Sequence, residues 1–261
     1  MAEVEIRDLA EIDDLRSTLE LFERIWGARE RMFAVEVLRA VATHGGAILG
    51  AFLDGRMVGA QVAFLGRDEN ELLLHSHVTG VEPTLQHEGI GSALKWAQRD
   101  WALERGIELI TWTFDPMISR NAYLNLRKLG ASARRFLRDF YGRMDDDINV
   151  GERSDRLEIT WRLKDPRVEG AAAGGPVARD AEGAAVLLDA PEGRPRPHPE
   201  ALGAPLVLAR VPTDYLDLRA RDPEVARAWR DAAADVLERA LSGGYAAVDF
   251  LREGAYVLER S

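Results

Sequence analysis

The chain has 261 residues and contains no cysteine, which excludes disulfides, thiolate nucleophiles and cysteine-ligated zinc. Hydrophobic residues make up 46% and charged residues 30%, as in ordinary globular proteins. No run of 18 apolar residues and no apolar signal-peptide core occur, so we expect a cytoplasmic protein with no membrane partner. The net charge of -10 repels phosphate backbones and argues against nucleic-acid binding.

Hydrophobic periodicity predicts the elements of the first 165 residues. In chain order they are a strand over 4–7, helices over 9–25 and 31–43, strands over 47–53, 57–65 and 71–81, a helix over 90–104, a strand over 107–114, a helix over 118–129, and strands near 133–142 and 155–163. Antiparallel hairpins come first and strand–helix–strand crossovers follow. This order predicts a mixed α/β sheet.

The composition changes after Pro166, and three domains are predicted from it. Residues 1–165 form the main domain, and residues 166–200, rich in Ala, Gly and Pro, form an irregular connector. Residues 201–261 form a small α/β extension with strands at 206–211, 245–251 and 255–259 and a helix over 222–241. Its core is thin, so we expect it to pack on the main domain or on a second subunit in a homodimer.

The segment 81–92 joins a predicted strand to a predicted helix and contains two glycines, Gly89 and Gly91. A Walker A loop would need Lys followed by Ser or Thr after the last glycine, and Ser92-Ala93 stands there. A dinucleotide loop would need a third glycine or alanine where Leu94 lies. The pattern Gln-x-x-Gly-x-Gly, with Gln86 as its first residue, is the third interpretation.

A helix N-terminus offers unpaired N–H groups and partial positive charge, and glycine lets the backbone approach a ligand, so the loop suits a pyrophosphate. Pro83 stiffens the exit from the strand. The competing interpretation is a plain strand-to-helix turn in which the glycines serve packing. Spacing alone does not separate the two.

The run Val81, Pro83, Gln86, Gly89, Ile90 and Gly91 resembles the GNAT superfamily of acyl-CoA-dependent N-acyltransferases, and the resemblance covers roughly residues 4–163. It implies that strands 71–81 and 107–114 splay to admit a thioester, that the backbone of 79–81 bonds the pantetheine arm, and that 86–92 holds the pyrophosphate. The implied residues for the CoA co-substrate are Thr79, Val81, Gln86, His87, Glu88, Gly89, Ile90, Gly91, Ser92 and Ser119.

A second GNAT motif lies on the helix after the next strand, where this sequence departs from the pattern. Ala122, Lys128 and Gly130 fit, but Leu126 replaces the tyrosine that protonates the departing thiolate in many members. Leucine cannot donate a proton. Tyr123, three residues earlier on the same predicted helix face, is the candidate replacement, and a core aromatic is the alternative.

A longer pattern resembles a GNAT branch with a C-terminal extension, some of whose members are similar to amino-acid N-succinyltransferases. It includes His75-Ser76-His77, Asp115-Pro116, Tyr141-Gly142 and Ser154-Asp155-Arg156. The resemblance implies acetyl-CoA or succinyl-CoA as donor and the amine of a small molecule, such as an amino acid, as acceptor.

The attacking amine must lose a proton, and histidine titrates near neutral pH. His75 and His77 share one face of the predicted strand and are the candidate bases; hydrogen bonding within the fold is the alternative. No third ligand accompanies them at metal-site spacing, so no metal is expected. Asp145-Asp146-Asp147 is interpreted as a solvated acidic turn because it lacks the pattern of a calcium loop.

Arginine recognises carboxylates, and Arg120 and Arg156 are the candidates for binding a substrate carboxylate, with Asn121 as a polar neighbour. An internal Asp155–Arg156 salt bridge is an equal alternative for Arg156. A non-catalytic acyl-CoA-binding module and a protein N-acyltransferase remain open as other functions.

Overall fold

A computed structural model describes residues 4–27, 33–68, 71–144, 151–175 and 177–260. The fold is mixed α/β, which confirms the predicted class. Two compact units share the chain: Met1–Trp112 with Arg143–Glu152, and Thr113–Gly142 with Arg153–Ser261. These units divide the chain at residues other than 165 and 200. The predicted domain boundaries stay a prediction. The acidic turn at 145–147 lies outside the described residues.

The first unit is a sheet in the order β1-β2-β3-β4-β5, with helices packed on it. Its elements are β1 Glu5–Asp8, α1 Ile12–Trp26, α2 Val35–Thr43, β2 Ala47–Leu53, β3 Arg56–Asp68, β4 Glu71–Val81, α3 Ile90–Glu104 and the start of β5, Leu109–Phe114. The first four strands are antiparallel, and β5 runs parallel to β4. The strand and helix types match the sequence-based expectation in every one of these elements.

A cluster of buried apolar side chains joins α1 and α2 to β2 and β3. Leu15, Phe22 and Leu38 enter it from the helices and are at most 2% exposed. Burying side chains of this size removes about 1.5–3 kcal/mol each of unfavourable hydration. The amphipathic pattern that predicted α1 therefore follows from its contact with the sheet.

Strand β4 carries a β-bulge at His77. Val78 pairs with Val62 of β3 and Ser76 pairs with the adjacent Ala63, so His77 is the extra residue. Val78 packs against the apolar cluster under α1 and α2, whereas Ser76 contacts α3. The bulge thus changes which residues of β4 face each side of the sheet.

The second unit is a sheet in the order β7-β6-β11-β12-β10-β8-β9. Its elements are α4 Ser119–Ala122, a π-helical turn Tyr123–Lys128, β6 Ser132–Leu137, β7 Arg156–Arg162, α5 Pro166–Ala172, β8 Ala185–Asp189, β9 Arg196–Pro197, β10 Leu206–Arg210, α6 Tyr215–Arg221, α7 Pro223–Ser242, β11 Tyr245–Leu251 and β12 Ala255–Arg260. The pairing of β8 with β10 is parallel; β6, β7, β9, β11 and β12 pair antiparallel.

Two segments of this unit differ from the sequence-based expectation. The predicted connector contains α5 and β8, and β8 joins the sheet through β10. The predicted helix 118–129 is one α turn followed by the π-helical turn. A π turn is wider than an α turn, so residues three apart no longer stack. Leu126 is fully buried and Tyr123 is half-buried.

Asp249, which is buried, and Asp115, which is partly buried, organise polar contacts in the second unit. Asp249 is 0% exposed and accepts hydrogen bonds from Arg127 Nε at 2.6 Å and from the backbone N–H of Arg179 at 2.7 Å. Asp115 pairs with Arg230, a residue of α7 that is 5% exposed. Buried charges are tolerated when they are paired and hydrogen-bonded in this way.

Within the described ranges, no helix has both the length and the apolar character needed to cross a membrane.

Candidate functional site

The loop after β4 forms the N-terminus of α3. Val81 ends the strand, Pro83–Leu85 forms a single 3-10 turn, and Gly89 precedes the helix with φ of 80°. Only glycine adopts this left-handed conformation without strain. The helix has no side-chain cap and no acidic residue in its first turn. The first N–H groups of any helix have no intrahelical carbonyl as partner, and no side chain caps them here. They therefore suit an anion.

Gly91 separates the two interpretations of this loop. A Cβ added there would meet only Val81, at 3.9 Å, and one added at Gly89 would meet nothing within 4 Å. Neighbouring groups thus do not require glycine at either position, although the backbone conformation requires it at Gly89. Glycine inside a helix costs about 1 kcal/mol relative to alanine. The close approach of a ligand would explain why position 91 is a glycine, whereas packing against neighbouring residues does not explain it.

The side chains of the loop contribute less than its backbone. His87 and Glu88 are exposed, whereas Ile90 is buried under the sheet. Gln86 Nε2 lies 3.4 Å from the carbonyl oxygen of Val81 and folds the loop back on the strand. The carboxylate of Glu88 would repel a phosphate, so at this position only the backbone could serve. Ser92 is half-buried in the first turn of α3.

Strands β4 and β5 pair over two residues, Leu74 with Ile110 and His75 with Thr111. Strand β4 then continues for six residues to Val81. Thr79 and Gly80 lie in this part, and the Thr79 hydroxyl is 3.4 Å from Gln61 Oε1. The geometry is that of two parallel strands which diverge after a short paired stretch. In this part β4 pairs with β3 along one edge, and the backbone groups along its other edge are available to a ligand.

Lys95 of α3 is buried at the point where the two strands separate. Its Nζ donates to Ser76 Oγ at 2.7 Å and lies 3.9 Å from the centroid of the Trp112 ring. Ser76 directly follows the last paired residue of β4, and Trp112 directly follows that of β5. Burial lowers the pKa of Lys95 to about 7, because an apolar surrounding disfavours the ammonium form.

Gln98 lies one turn further along α3, is 0% exposed, and accepts a 3.4 Å hydrogen bond from Lys95 Nζ. Its Nε2 has no hydrogen-bond partner among the described residues. Sequence reasoning missed this group. Lys95 lies four residues after Gly91 and Gln98 three after Lys95, so both share the helix face that carries the loop glycine, and that spacing was the available signal.

The two candidate bases lie close together on β4, with ring centroids 6.2 Å apart. His75 Nδ1 is 3.1 Å from the Thr111 hydroxyl oxygen. Burial first, and then the charges of His77 and Lys95, lower the pKa of His75 below its usual 6.5. A histidine with a lowered pKa is neutral at pH 7 and can accept a proton.

His77 is exposed on one side and contacts aromatic rings on the other. Its ring centroid lies 5.6 Å from that of Phe33 and 5.4 Å from that of Phe64. Partial burial lowers its pKa below 6.5. The bulge turns His77 toward the same face as His75 and Val78. The two histidines are thus brought together, with His77 the more accessible.

The remaining predicted residues belong to the second unit. Ser119 Oγ donates to the Pro212 carbonyl at 2.9 Å, so its hydroxyl proton is already used within that unit. Tyr123 OH accepts from Arg252 Nε at 3.2 Å. Arg120 is exposed and Asn121 is half-buried. Their predicted roles stay predictions.

Arg156 is buried at the start of β7. Its Nη1 donates to the backbone carbonyl of Asp155 at 2.8 Å, and its guanidinium lies 5.3 Å from the Tyr141 ring. The carboxylate of Asp155 instead pairs with Arg153, whose Nε is 2.8 Å away. The alternative of an Asp155–Arg156 salt bridge stays open beside the proposed role of Arg156 in binding a substrate. Within the described ranges, no group of three or more His, Asp or Glu side chains could hold a metal ion.

Comparison with known proteins agrees with this geometry. Residues 1–123 match the family model described as acetyltransferase (GNAT) domain. The matched segment is just under half of the chain and contains the loop, the diverging strands, Lys95 and both histidines. This part of the chain thus carries the sequence pattern of a GNAT acetyltransferase domain. The comparison with curated proteins gave no match.

Solved structures resemble the chain at low identity. The ribosomal-protein-S18-alanine N-acetyltransferase from Escherichia coli is 16% identical, with 69% of this chain and 98% of that one covered and a TM-score of 0.49. An aminoglycoside acetyltransferase from an uncultured soil metagenomic sample, in complex with sisomicin, is 20% identical, with 43% and 78% covered and a TM-score of 0.40. The acceptors in these descriptions belong to those proteins.

Proposed function

We propose that the chain is a GNAT-type enzyme that transfers an acyl group from acyl-CoA to the amine of a small molecule. The observation that carries the proposal is the junction of β4 and α3: an uncapped helix N-terminus where a Cβ on Gly91 would meet only Val81, at 3.9 Å, next to a strand that diverges from its parallel neighbour. These features suit the pyrophosphate and the pantetheine arm of one CoA molecule.

The CoA residues proposed from the resemblance contribute in different ways. The N–H groups of Gly89, Ile90, Gly91 and Ser92 would face the pyrophosphate. The backbone of Thr79 and Val81 would hydrogen-bond the pantetheine amides as a neighbouring strand does. Binding a polyanion to a chain of net charge -10 then depends on local backbone donors, whose effect on an anion does not require a positive net charge.

The reaction needs a neutral amine placed against the thioester carbonyl. His77, accessible and with a lowered pKa, would accept the proton that the amine loses, and His75 would hold the same role or orient it. The donor is acetyl-CoA or succinyl-CoA. Binding of a succinyl carboxylate or of an amino-acid carboxylate would be the role of Arg120, Asn121 and Arg156.

The acceptor is proposed to carry an apolar group. A groove of about 470 Å³ lies between α2 and the ends of β2 and β3, lined by Val37, Val41, Phe64 and Leu65 among others. The ring of Phe64 also contacts His77, so one lining residue of the groove lies beside the candidate base. Small amines with an aliphatic or aromatic side chain fit such a lining.

Calorimetric titration with CoA, followed by a thiol-release assay, tests the function. Both acyl donors are assayed against D- and L-amino acids and simple amines. We expect micromolar binding and thiol release with at least one acceptor. Failure to bind CoA would refute the proposal. Tight binding without thiol release from any amine would instead support the second candidate, a non-catalytic acyl-CoA-binding module, which the leucine at position 126 favours.

A further inference from the structure

The buried amine of Lys95 lies where β4 and β5 part. The last paired residues are His75 and Thr111, and the next residue of each strand contacts Lys95: Ser76 Oγ is 2.7 Å from Nζ, and the Trp112 ring centroid is 3.9 Å from it. A ligand that enters between the diverging strands stops where they pair. The amine therefore lies at the closed end of the cleft, where the reacting end of the ligand arrives.

The surroundings of Lys95 are costly to maintain in a helix–sheet interface. Lys95 is 5% exposed, and Ser76, Gln98 and Trp112 are at most 5% exposed. No carboxylate among the described residues forms an ion pair with it, and Gln98 Nε2 lacks a hydrogen-bond partner there. Unsatisfied buried donors cost about 1–3 kcal/mol each. A buried amine next to an amide donor that needs an acceptor indicates a polar ligand group at this point.

We propose that Lys95 is the general acid that protonates the departing CoA thiolate, an inference that rests on the proposed acyl transfer. The amine nitrogen attacks the thioester carbon, a C–N bond forms, and the C–S bond breaks with its electron pair on sulfur. A proton moves from Lys95 Nζ to sulfur and yields the CoA thiol. The proton lost by the amine passes to His77, and proton exchange with water restores both side chains.

The acidity of Lys95 suits this transfer. Its pKa of about 7 lies below the value of about 8.5 typical of a thiol, so the proton moves downhill to the thiolate. A general acid is most effective when its pKa is near the working pH. The groups that contact the amine are uncharged, and the charge of Lys95 contributes to lowering the pKa of His75, its titratable neighbour on β4.

All five tyrosines of the chain belong to the second unit, and the position that aligns with the motif tyrosine is the buried Leu126. Lys95 needs no tyrosine for the acid role. Tyr123, whose hydroxyl oxygen already accepts from Arg252, is the rival acid, and Tyr123→Phe is its test.

The experiment compares Lys95→Met with Lys128→Met, an exposed lysine on the π-helical turn. Thiol release by the wild type is established first, since its absence would refute the function rather than the acid. We then expect Lys95→Met to lose about 100-fold or more in kcat, with CoA affinity within about threefold (roughly 0.7 kcal/mol). Lys128→Met should match the wild type. Unchanged turnover in Lys95→Met would overturn the inference.

Two readouts separate proton donation from a structural role. A donor with an acidic aryl thiol needs no protonation as it leaves, so it should restore most of the lost rate to Lys95→Met; an equal loss with both donors would contradict the proposal. The second readout is Tyr123→Phe, which should keep the turnover of the wild type if Lys95 is the donor. A loss of turnover confined to Tyr123→Phe would contradict the proposal.

The pH profile of the wild type supplies a further test that does not depend on the folding of Lys95→Met. If Lys95 donates the proton, kcat falls as the pH rises through its pKa of about 7, because the acid is then deprotonated. A kcat that stays level up to pH 9 would overturn the inference.

Discussion

Arg230 and Asp115 form a two-contact ion pair inside the second unit: Nη2 lies 2.9 Å from Oδ2 and Nη1 lies 3.3 Å from Oδ1. Burial alone would lower the pKa of Arg230. The Asp115 carboxylate and the Tyr215 hydroxyl, which is 3.2 Å from Nε, outweigh this effect, so the pKa of Arg230 is raised. Removing one partner of a buried pair leaves an uncompensated charge, which costs about 3–5 kcal/mol.

Arg230→Met should therefore lower the free energy of unfolding by about 3–5 kcal/mol, measured by urea denaturation. Arg221→Met is the matched control, because Arg221 pairs with Asp217 on the surface of α6 with its side chain 70% exposed. Exposed pairs at this spacing contribute about 0.3–0.5 kcal/mol. Similar losses in both variants would show that burial does not decide the strength of the Arg230 pair.

Gly91→Leu should weaken CoA binding at least tenfold, because the new side chain occupies the space that the pyrophosphate would approach. Stability should be kept or rise by about 1 kcal/mol, since leucine favours helices more than glycine. Gly91 is a cleaner target than Gly89, whose φ of 80° makes any side chain strained there. Calorimetry measures the affinity and thermal unfolding measures the stability.

Gly170→Leu is the control for that experiment, since Gly170 also lies in a helix and a Cβ there would meet nothing within 4 Å. It should leave CoA affinity unchanged. An affinity unchanged in Gly91→Leu as well would contradict the assignment of the loop.

The folded stability should depend on pH through Lys95. Its pKa falls from 10.5 in the unfolded chain to about 7 in the fold, so between these values the unfolded chain binds more protons. The free energy of unfolding therefore rises with pH across this window, by up to about 1.4 kcal/mol per unit from this group. Below pH 7 both the folded and the unfolded chain hold the proton on Lys95, so this group no longer makes the free energy of unfolding depend on pH.

Lys95→Met should remove that rise, and should be more stable than the wild type at pH 7. Urea denaturation at pH 7, 8 and 9 measures the difference between the two proteins, and Lys128→Met should follow the wild type. A parallel pH dependence in Lys95→Met would mean that Lys95 stays charged in the folded protein.

Turnover should fall at acid pH through the histidine pair. Both pKa values are lowered below 6.5 by burial, so the loss of kcat/KM caused by protonation of the bases should begin only below about pH 6.5. His77→Gln should lower turnover by about 100-fold with little change in CoA affinity. If the decline of kcat/KM at acid pH persists unchanged in His77→Gln and disappears in His75→Gln, His75 is the base.

The elements of the first unit could be predicted because local pattern and long-range packing agree there. The heptad-like spacing of Leu15, Leu19 and Phe22 in α1 corresponds to one buried face, and Gly89 and Gly91 occupy a strand-to-helix junction. The π-helical turn could not be predicted, because its i to i+5 bonding leaves no distinct pattern in six residues. Strand β8 could not be distinguished from a loop either, because its apolar run is short and lies in a segment rich in Ala, Gly and Pro.

The candidate site could be predicted where it depends on backbone, and less well where it depends on side chains. His75 and His77 are conspicuous because the chain has only five histidines. Lys95 gave no such signal, since a lysine on a helix is ordinarily a solvated charge. Only the fold shows that its helix face lies against Ser76 and Trp112.

The extra residue at His77 gives β4 two different alternations. Before it, the even-numbered Ser76 faces α3; after it, the even-numbered Val78 packs against the cluster under α1 and α2. One strand can thereby present imidazoles to one side of the sheet and Ser76 to Lys95 on the other, without a change of chain direction. Deleting a single residue here would exchange the two sides for half of the strand, so length in this segment is expected to tolerate less variation than residue type.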